Sequence, residues 1–288
     1  MTPVLLLVLH AVVVAVAAPS LAGLRARAEA RWRGVEGPDL AQPGRDILRL
    51  WRKTSLLPGG ASVLFAAAPV FALATAVAAV LLVPSFALGS AAAPAADLLV
   101  VGALLAASRG VLLLASWDSG SGLAVNTAAG TMEARLGAAP VLLLVGLAAA
   151  LLCGSTNLEA AATAVRDGGP GARIAGVLAG LALLTLGAER DGDPGPWSGR
   201  LRALVTLSLP LRNLASLGLA ATLGCPFGLP TAPEAGPVTW FVGLACWGLK
   251  LGVLGLGASA VGAPRLALPA GALLALMAVL VASLQGTA

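Results

Sequence analysis

Apolar stretches of about twenty residues recur from one end of this chain to the other, and they constrain its fold more than any other feature. A helix of about that length crosses the ~30 Å hydrocarbon layer of a bilayer. Eight such windows are present, at roughly 3–23, 61–83, 96–117, 138–154, 173–189, 201–224, 238–257 and 266–285. None alternates apolar and polar residues as a barrel strand does, and only helices or closed barrels satisfy the backbone in lipid. The windows predict an all-α, polytopic integral membrane protein, one membrane domain over residues 1–288 with about eight transmembrane helices. Composition agrees, since charged residues are 11% of the chain, against about 25% in soluble domains.

The first window, MTPVLLLVLHAVVVAVAAPSLAG, also has the apolar core and small residues of a secretory signal peptide. It lacks a charged leading region, and Arg25, Arg27, Arg31 and Arg33 follow at once, so an uncleaved first helix is expected. Eight of the eighteen Lys and Arg residues lie between Arg25 and Lys53. By the positive-inside rule this charged loop is cytoplasmic. The loops at 118–137, 190–200 and 258–265 then share its side, which collects thirteen basic residues and leaves Arg166 and Arg173 opposite. Both termini are expected outside, in a multi-pass protein of the plasma membrane. The net charge of +5 reflects topology and gives no reason to expect nucleic acid.

Arg109, Arg212 and Lys250 fall inside predicted helices. A charge at mid-bilayer costs at least ~2.5–3.5 kcal/mol, so it is usually paired or faces water. Arg212 follows Pro210, whose missing N–H opens the helix locally. Arg109 stands about two turns from the loop end of its helix, within reach of snorkelling, which is the alternative to pairing. Asp118, Glu133 and Glu189 are the candidate partners, and the two readings are an ion path or structural pairing. Cys153, Cys225 and Cys246 form no CxxC pair and read as small buried thiols, and His10 reads as a helix-packing residue. No metal site and no cofactor of the chain's own is expected. Small residues four apart, in GVLAG (Gly176 to Gly180) and GLKLG (Gly248 to Gly252), predict close helix packing, within this chain or against neighbouring subunits.

Leu40 to Lys53 is predicted to form an amphipathic helix in the headgroup region, with Pro43 in its first turn. Ile47, Leu48, Leu50 and Trp51 give its apolar side, and Arg45, Arg49, Arg52 and Lys53 its basic side. The run GPDLAQPGRDILRLWRK resembles the first cytoplasmic loop of the complex I subunit 1 family, on Gly37, Pro38, Gln42, Pro43, Asp46, Arg52 and Lys53. That family includes the quinone-site membrane subunit of NADH-quinone oxidoreductase and the fourth subunit of formate hydrogenlyase. WDSGSG, with Asp118 and Gly120, and the run from PWSG (Pro196 to Gly199) to Pro226–Phe227–Gly228 resemble its hydrogenase branch.

The resemblance implies a membrane-anchor subunit of a hydrogenase-like or complex I-like oxidoreductase. Hydrophilic iron–sulfur subunits, with nickel–iron in a hydrogenase-type partner, would dock on Arg31, Arg33, Arg45, Asp46, Arg49, Arg52 and Lys53. Antiporter-like membrane subunits would be further neighbours, and proton or sodium translocation a shared task. The quinone-reactive membrane subunit of NADH-quinone oxidoreductase proper and, from another class, a stand-alone permease or channel are the alternatives. The family's long acidic loop is cut here to ERDGDPGPWSG, in which Glu189, Arg190, Asp193 and Pro194 are its remnant and the His-Leu-Glu run is absent. That loss predicts a scaffold that neither binds quinone tightly nor carries a complete proton path. Glu189, facing Arg212, is the one acid of the loop expected to contribute to coupling.

Overall fold

The computed structural model describes residues 2–122, 125, 138–187, 195–228, 237–260 and 264–286, and these are helical almost throughout. In chain order the helices are α1 (Thr2–Trp32), α2 (Gln42–Trp51), α3 (Val63–Leu82), α4 (Leu98–Asp118), α5 (Ala138–Cys153), α6 (Leu158–Asp167), α7 (Pro170–Gly187), α8 (Gly199–Gly224), α9 (Pro237–Ala260) and α10 (Pro264–Gly286). Among the described residues six helices are long and apolar enough to cross a membrane: α1, α3, α4, α7, α8 and α9. The apolar stretches Ala138–Cys153 in α5 and Pro269–Gln285 in α10 are shorter. A helix therefore underlies each of the eight apolar windows.

α8 is the hub. It packs against α3 on one side and α7 on another, and α1, α2 and α9 also touch it. Its residues are the most buried of any candidate span, whereas α1 and α9 leave most of their surface outward. α10 packs against α5 and α7, and α3 against α4. The α7–α8 contact depends on missing side chains. A Cβ on Gly180 would stand 2.4 Å from Gly224 Cα, and one on Gly176 would stand 2.8 Å from the Leu223 carbonyl oxygen. The expected close packing at GVLAG is thus present within the chain. GLKLG makes no such contact within the chain, because a Cβ on Gly248 or Gly252 meets no atom within 4 Å.

Two elements differ from what the sequence predicts. The charged loop does not begin at Arg25, because α1 continues through Trp32 and spans 31 residues, about 46 Å at 1.5 Å per residue. Its last turns, rich in Ala and Arg, keep helix propensity while leaving the hydrocarbon. The second is α6, whose ten residues are too polar and too few for an apolar window. Its start is set by Asn157, whose Oδ1 accepts from the Glu159 and Ala160 N–H groups. The amphipathic helix is present as α2, with Pro43 in its first turn and no buried residue.

Candidate docking face and buried charges

The C-terminal end of α1, α2, the start of α3, the end of α4 and the start of α8 gather at one end of the bundle. The chain returning from α1 runs back along it through two close approaches. Gly37 lies against Arg27, where a Cβ would stand 2.9 Å from the Arg27 Cα. Gly23 lies under Leu40, whose carbonyl oxygen would be 2.2 Å from an added Cβ. The Gly-Pro pair of the loop motif is therefore partly explained: residue 37 has no room for a side chain.

Beyond α2 the chain is fastened to the start of α8. The Leu56 N–H donates to Ser198 Oγ at 2.8 Å, and that hydroxyl donates to the Leu56 carbonyl at 3.1 Å. The Leu201 N–H donates to Ser55 Oγ at 3.3 Å. Gly199 has φ +53°, and a Cβ there would stand 2.1 Å from the Thr54 carbonyl oxygen, so only glycine fits. Trp197 stacks on Phe65 with ring centroids 5.3 Å apart, and its indole N–H donates to the Phe65 carbonyl at 3.0 Å. Asp118 closes the same end. Its Oδ2 accepts from the N–H and the hydroxyl of Ser62, at 2.9 and 2.7 Å. Ser62 in turn caps α3 by accepting from the Leu64 N–H. Gly120 follows with φ +66°. Asp118, Trp197, Ser198 and Gly199 thus act as a structural latch. Asp118 serves Ser62 and does not meet the buried cations for which it was the candidate partner.

The latch leaves the cations outside. Arg31, Arg33, Arg45, Asp46, Arg49, Arg52 and Lys53 are all exposed. Arg45 pairs with Asp39, and Arg33 lies 3.9 Å from Glu29 one helical turn back. Such exposed pairs contribute about 0–1 kcal/mol and dissociate readily for a stronger partner.

The charges within the spans take other positions than expected. Arg109 does not snorkel; it is 7% exposed and packed inside the bundle. Arg212 is 1% exposed, and its Nη1 donates to Ser108 Oγ and Ser208 Oγ, each at 3.4 Å. Ser108 passes the chain of bonds to the Ala72 carbonyl at 2.7 Å, so α3, α4 and α8 meet through it. Glu133, Glu189 and Asp193 lie outside the described residues. Lys250 finds carbonyls, not carboxylates: its ammonium donates to the Cys225 oxygen at 2.6 Å and to the Phe227 oxygen. A cation there neutralises the negative end of α8 and satisfies two backbone oxygens at and just past its cap. Cys225 is exposed, contrary to the expectation of a buried thiol. Among the described residues no three His, Cys, Asp or Glu side chains converge as metal ligands.

The opposite end carries a polar lattice that no sequence motif announces. Asp97 caps α4 and Asn157 caps α6, and the two residues form an antiparallel bridge. Thr156 donates to Asp97 Oδ2, and Asn157 Nδ2 donates to the Ala93 carbonyl at 2.9 Å. Glu159 accepts from the Gly89 N–H at 2.9 Å, and burial pushes its carboxyl above the ordinary glutamate range while the Gly89 and Ser90 N–H groups oppose the shift. Nearby, the His10 Nε2–H donates to the Val80 carbonyl at 3.1 Å, leaving Nδ1 to accept from the Ser85 hydroxyl. His10 is thus a packing residue fixed by two bonds.

A family model described as NADH dehydrogenase matches residues 3–189. The chain belongs to that family, the complex I subunit 1 family. It is similar to Hydrogenase-4 component C of Escherichia coli (strain K12), at 27% identity over 234 residues, covering 76% of this chain and 74% of that protein. Its fold matches a chain in the structure of the membrane-bound sulfane sulfur reductase, an archaeal respiratory membrane complex, with a TM-score of 0.77 at 17% identity. That match covers 97% of this chain and 99% of the other. The protein is a polytopic membrane protein of the complex I subunit 1 family, similar to components of hydrogenase and respiratory membrane complexes.

Proposed function

We propose that this protein is the membrane anchor on which the peripheral electron-transfer module of a hydrogenase-like or complex I-like oxidoreductase docks. One observation carries the reading: α2 is a basic amphipathic helix with no buried residue, yet both ends of its segment are fastened to the bundle. A helix that merely anchored the chain would need no such fastening. Fixing it presents Arg45, Arg49 and Arg52 as a pre-organised cationic surface, which lowers the cost of ordering a partner on it. This face is cytoplasmic in the proposed orientation, so a probe on a cysteine at position 45 should be reachable only from that side.

Iron–sulfur clusters, with nickel–iron in a hydrogenase-type module, belong to the partner subunits in this reading. Antiporter-like subunits are the membrane neighbours, and this chain contributes to proton or sodium movement through its place in the complex. It does not hold quinone tightly. A quinone-site inhibitor that blocks the purified complex, with resistance mapping to residues 189–199, would favour the quinone-reactive reading instead.

The docking test is charge reversal. Arg45→Glu, Arg49→Glu and Arg52→Glu together should release the peripheral module during purification while leaving the protein inserted. Rising salt should loosen docking of the unaltered protein as well, because exposed charge contacts are screened over about 8–10 Å. A complex that survives both the triple reversal and high salt would refute the docking role.

A further inference from the structure

The open glycines of α9 face a groove. Gly248 and Gly252 line it from one side and Ala17, Ser20, Leu21 and Leu24 of α1 from the other. Leu40 and Ala41, crossing α1 at Gly23, complete an apolar hollow of about 440 Å³. The same face of α1, followed at three- and four-residue steps from Ala17 through Leu24, continues to Arg27 and Arg31. Those two residues line a second, polar hollow of about 520 Å³ together with the loop from Gly34 to Gly37. Neither guanidinium has a hydrogen bond or ion pair among the described residues. Glu36 is the other charged group there, so the hollow is net positive.

Depth fits this pairing. Arg27 and Arg31 lie about 4–10 Å beyond Leu24 along the helix axis. The headgroup layer is about 5–7 Å thick on each side of the hydrocarbon. An apolar groove with two guanidiniums one to two helical turns beyond it on the same face of α1, at headgroup height, matches the shape and charge of one molecular class. We propose that it binds an anionic phospholipid, with an acyl chain over Gly248 and Gly252 and the phosphate held by Arg27 and Arg31. A transmembrane helix would fill the groove yet leave both guanidiniums without an anion. The lipid test stands apart from the docking test, since it reads Arg27 and Gly252, which lie outside α2 and its basic side.

The test uses the full chain, purified in detergent, stripped of lipid and titrated with phosphatidylglycerol or phosphatidylcholine of the same acyl chains. Native mass spectrometry reads the bound lipid. The unaltered protein should prefer phosphatidylglycerol. Arg27→Gln and Arg31→Gln should each remove about five-fold of that preference. Gly252→Leu, whose side chain enters open space and leaves the fold undisturbed, should abolish retention of both lipids at this site. Inorganic phosphate should fail to displace the lipid, because it lacks the acyl chain. Equal affinity for the two lipids, or full retention in Gly252→Leu, would overturn the proposal. So would a co-purifying membrane helix that Gly252→Leu expels while lipid binding stays the same.

Discussion

The two ends of the bundle are organised by different means. At the α2 end three glycines, Gly23, Gly37 and Gly199, let backbone lie on backbone beside the Asp118 and Ser198 bonds, and the charged side chains remain exposed. At the other end it comes from specific oxygens, those of Asp97, Asn157 and Glu159, each turned inward onto backbone N–H groups. The first arrangement fixes a surface while keeping its charges available. The second consumes its polar groups and leaves a closed end. For the docking role proposed above, exposed charges at one end and satisfied polar groups at the other are the fitting arrangement.

The sharpest way to break the contrast is to put a side chain into the glycine-dependent end. Gly199→Val adds a branched Cβ where the Thr54 carbonyl already stands and imposes it on a backbone at φ +53°. Strain and clash together are expected to cost about 3 kcal/mol or more. Limited proteolysis should then cut between residues 33 and 62, while the Asp97 end stays protected. Equal protection of the 33–62 segment in the variant would mean that the close approach does not hold the docking face.

The opposite end should respond to the loss of one oxygen. Asp97→Ala removes the cap on the Leu99 and Val100 N–H groups and the acceptor of Thr156. The expected loss is about 1–3 kcal/mol, read as a lower unfolding midpoint in detergent. Asp97→Asn keeps an acceptor oxygen and should recover most of it. Partner docking should survive both, since no latch residue is touched.

Legibility in the sequence follows the same division. The spans are legible because twenty apolar residues have few alternatives, and Pro43 and the basic side mark α2 as an interfacial helix. The extension of α1 is hidden because Arg25 to Arg33 read as a loop by charge, although Arg and Ala are good helix formers. The Asp97–Asn157 lattice joins residues far apart in the chain, and nothing local announces it beyond two cap-forming residues. Lys250 suggests a carboxylate partner because charges invite charges, yet the end of α8 supplies two carbonyls nearby. Asp118 and Trp197 are visible as motif members, but their task, a latch, emerges only from the contact between α3, α4 and α8.

A gentler change separates the two components of the latch. Trp197→Phe keeps the ring on Phe65 and removes the N–H that reaches the Phe65 carbonyl. A buried carbonyl losing one neutral donor should cost about 1 kcal/mol. Trp197→Ala, which also removes the stack, should cost about 3–5 kcal/mol. If both variants unfold at the same midpoint, the stack contributes little and the hydrogen bond holds the latch.

The smallest expected effect is a pH dependence that belongs to one end alone. Burial raises the Glu159 carboxyl above its ordinary range, so the folded protein holds that proton more tightly than the unfolded chain. Between the unfolded and folded values the folded state binds more protons, and stability must fall as pH rises through that window. The stabilisation is therefore fully present below the ordinary glutamate range and is lost as pH rises through the raised folded value. The bonds from the Gly89 and Ser90 N–H groups favour the carboxylate and shorten the window without reversing it. Unfolding midpoints scanned from about pH 4 to about pH 8 should slope downward, and Glu159→Gln, which stays neutral throughout, should flatten that slope. An unchanged slope in Glu159→Gln would assign the titration to another group. Reversing Arg45, Arg49 and Arg52 should leave it untouched, because those residues stand at the far end of the bundle and are open to screening salt.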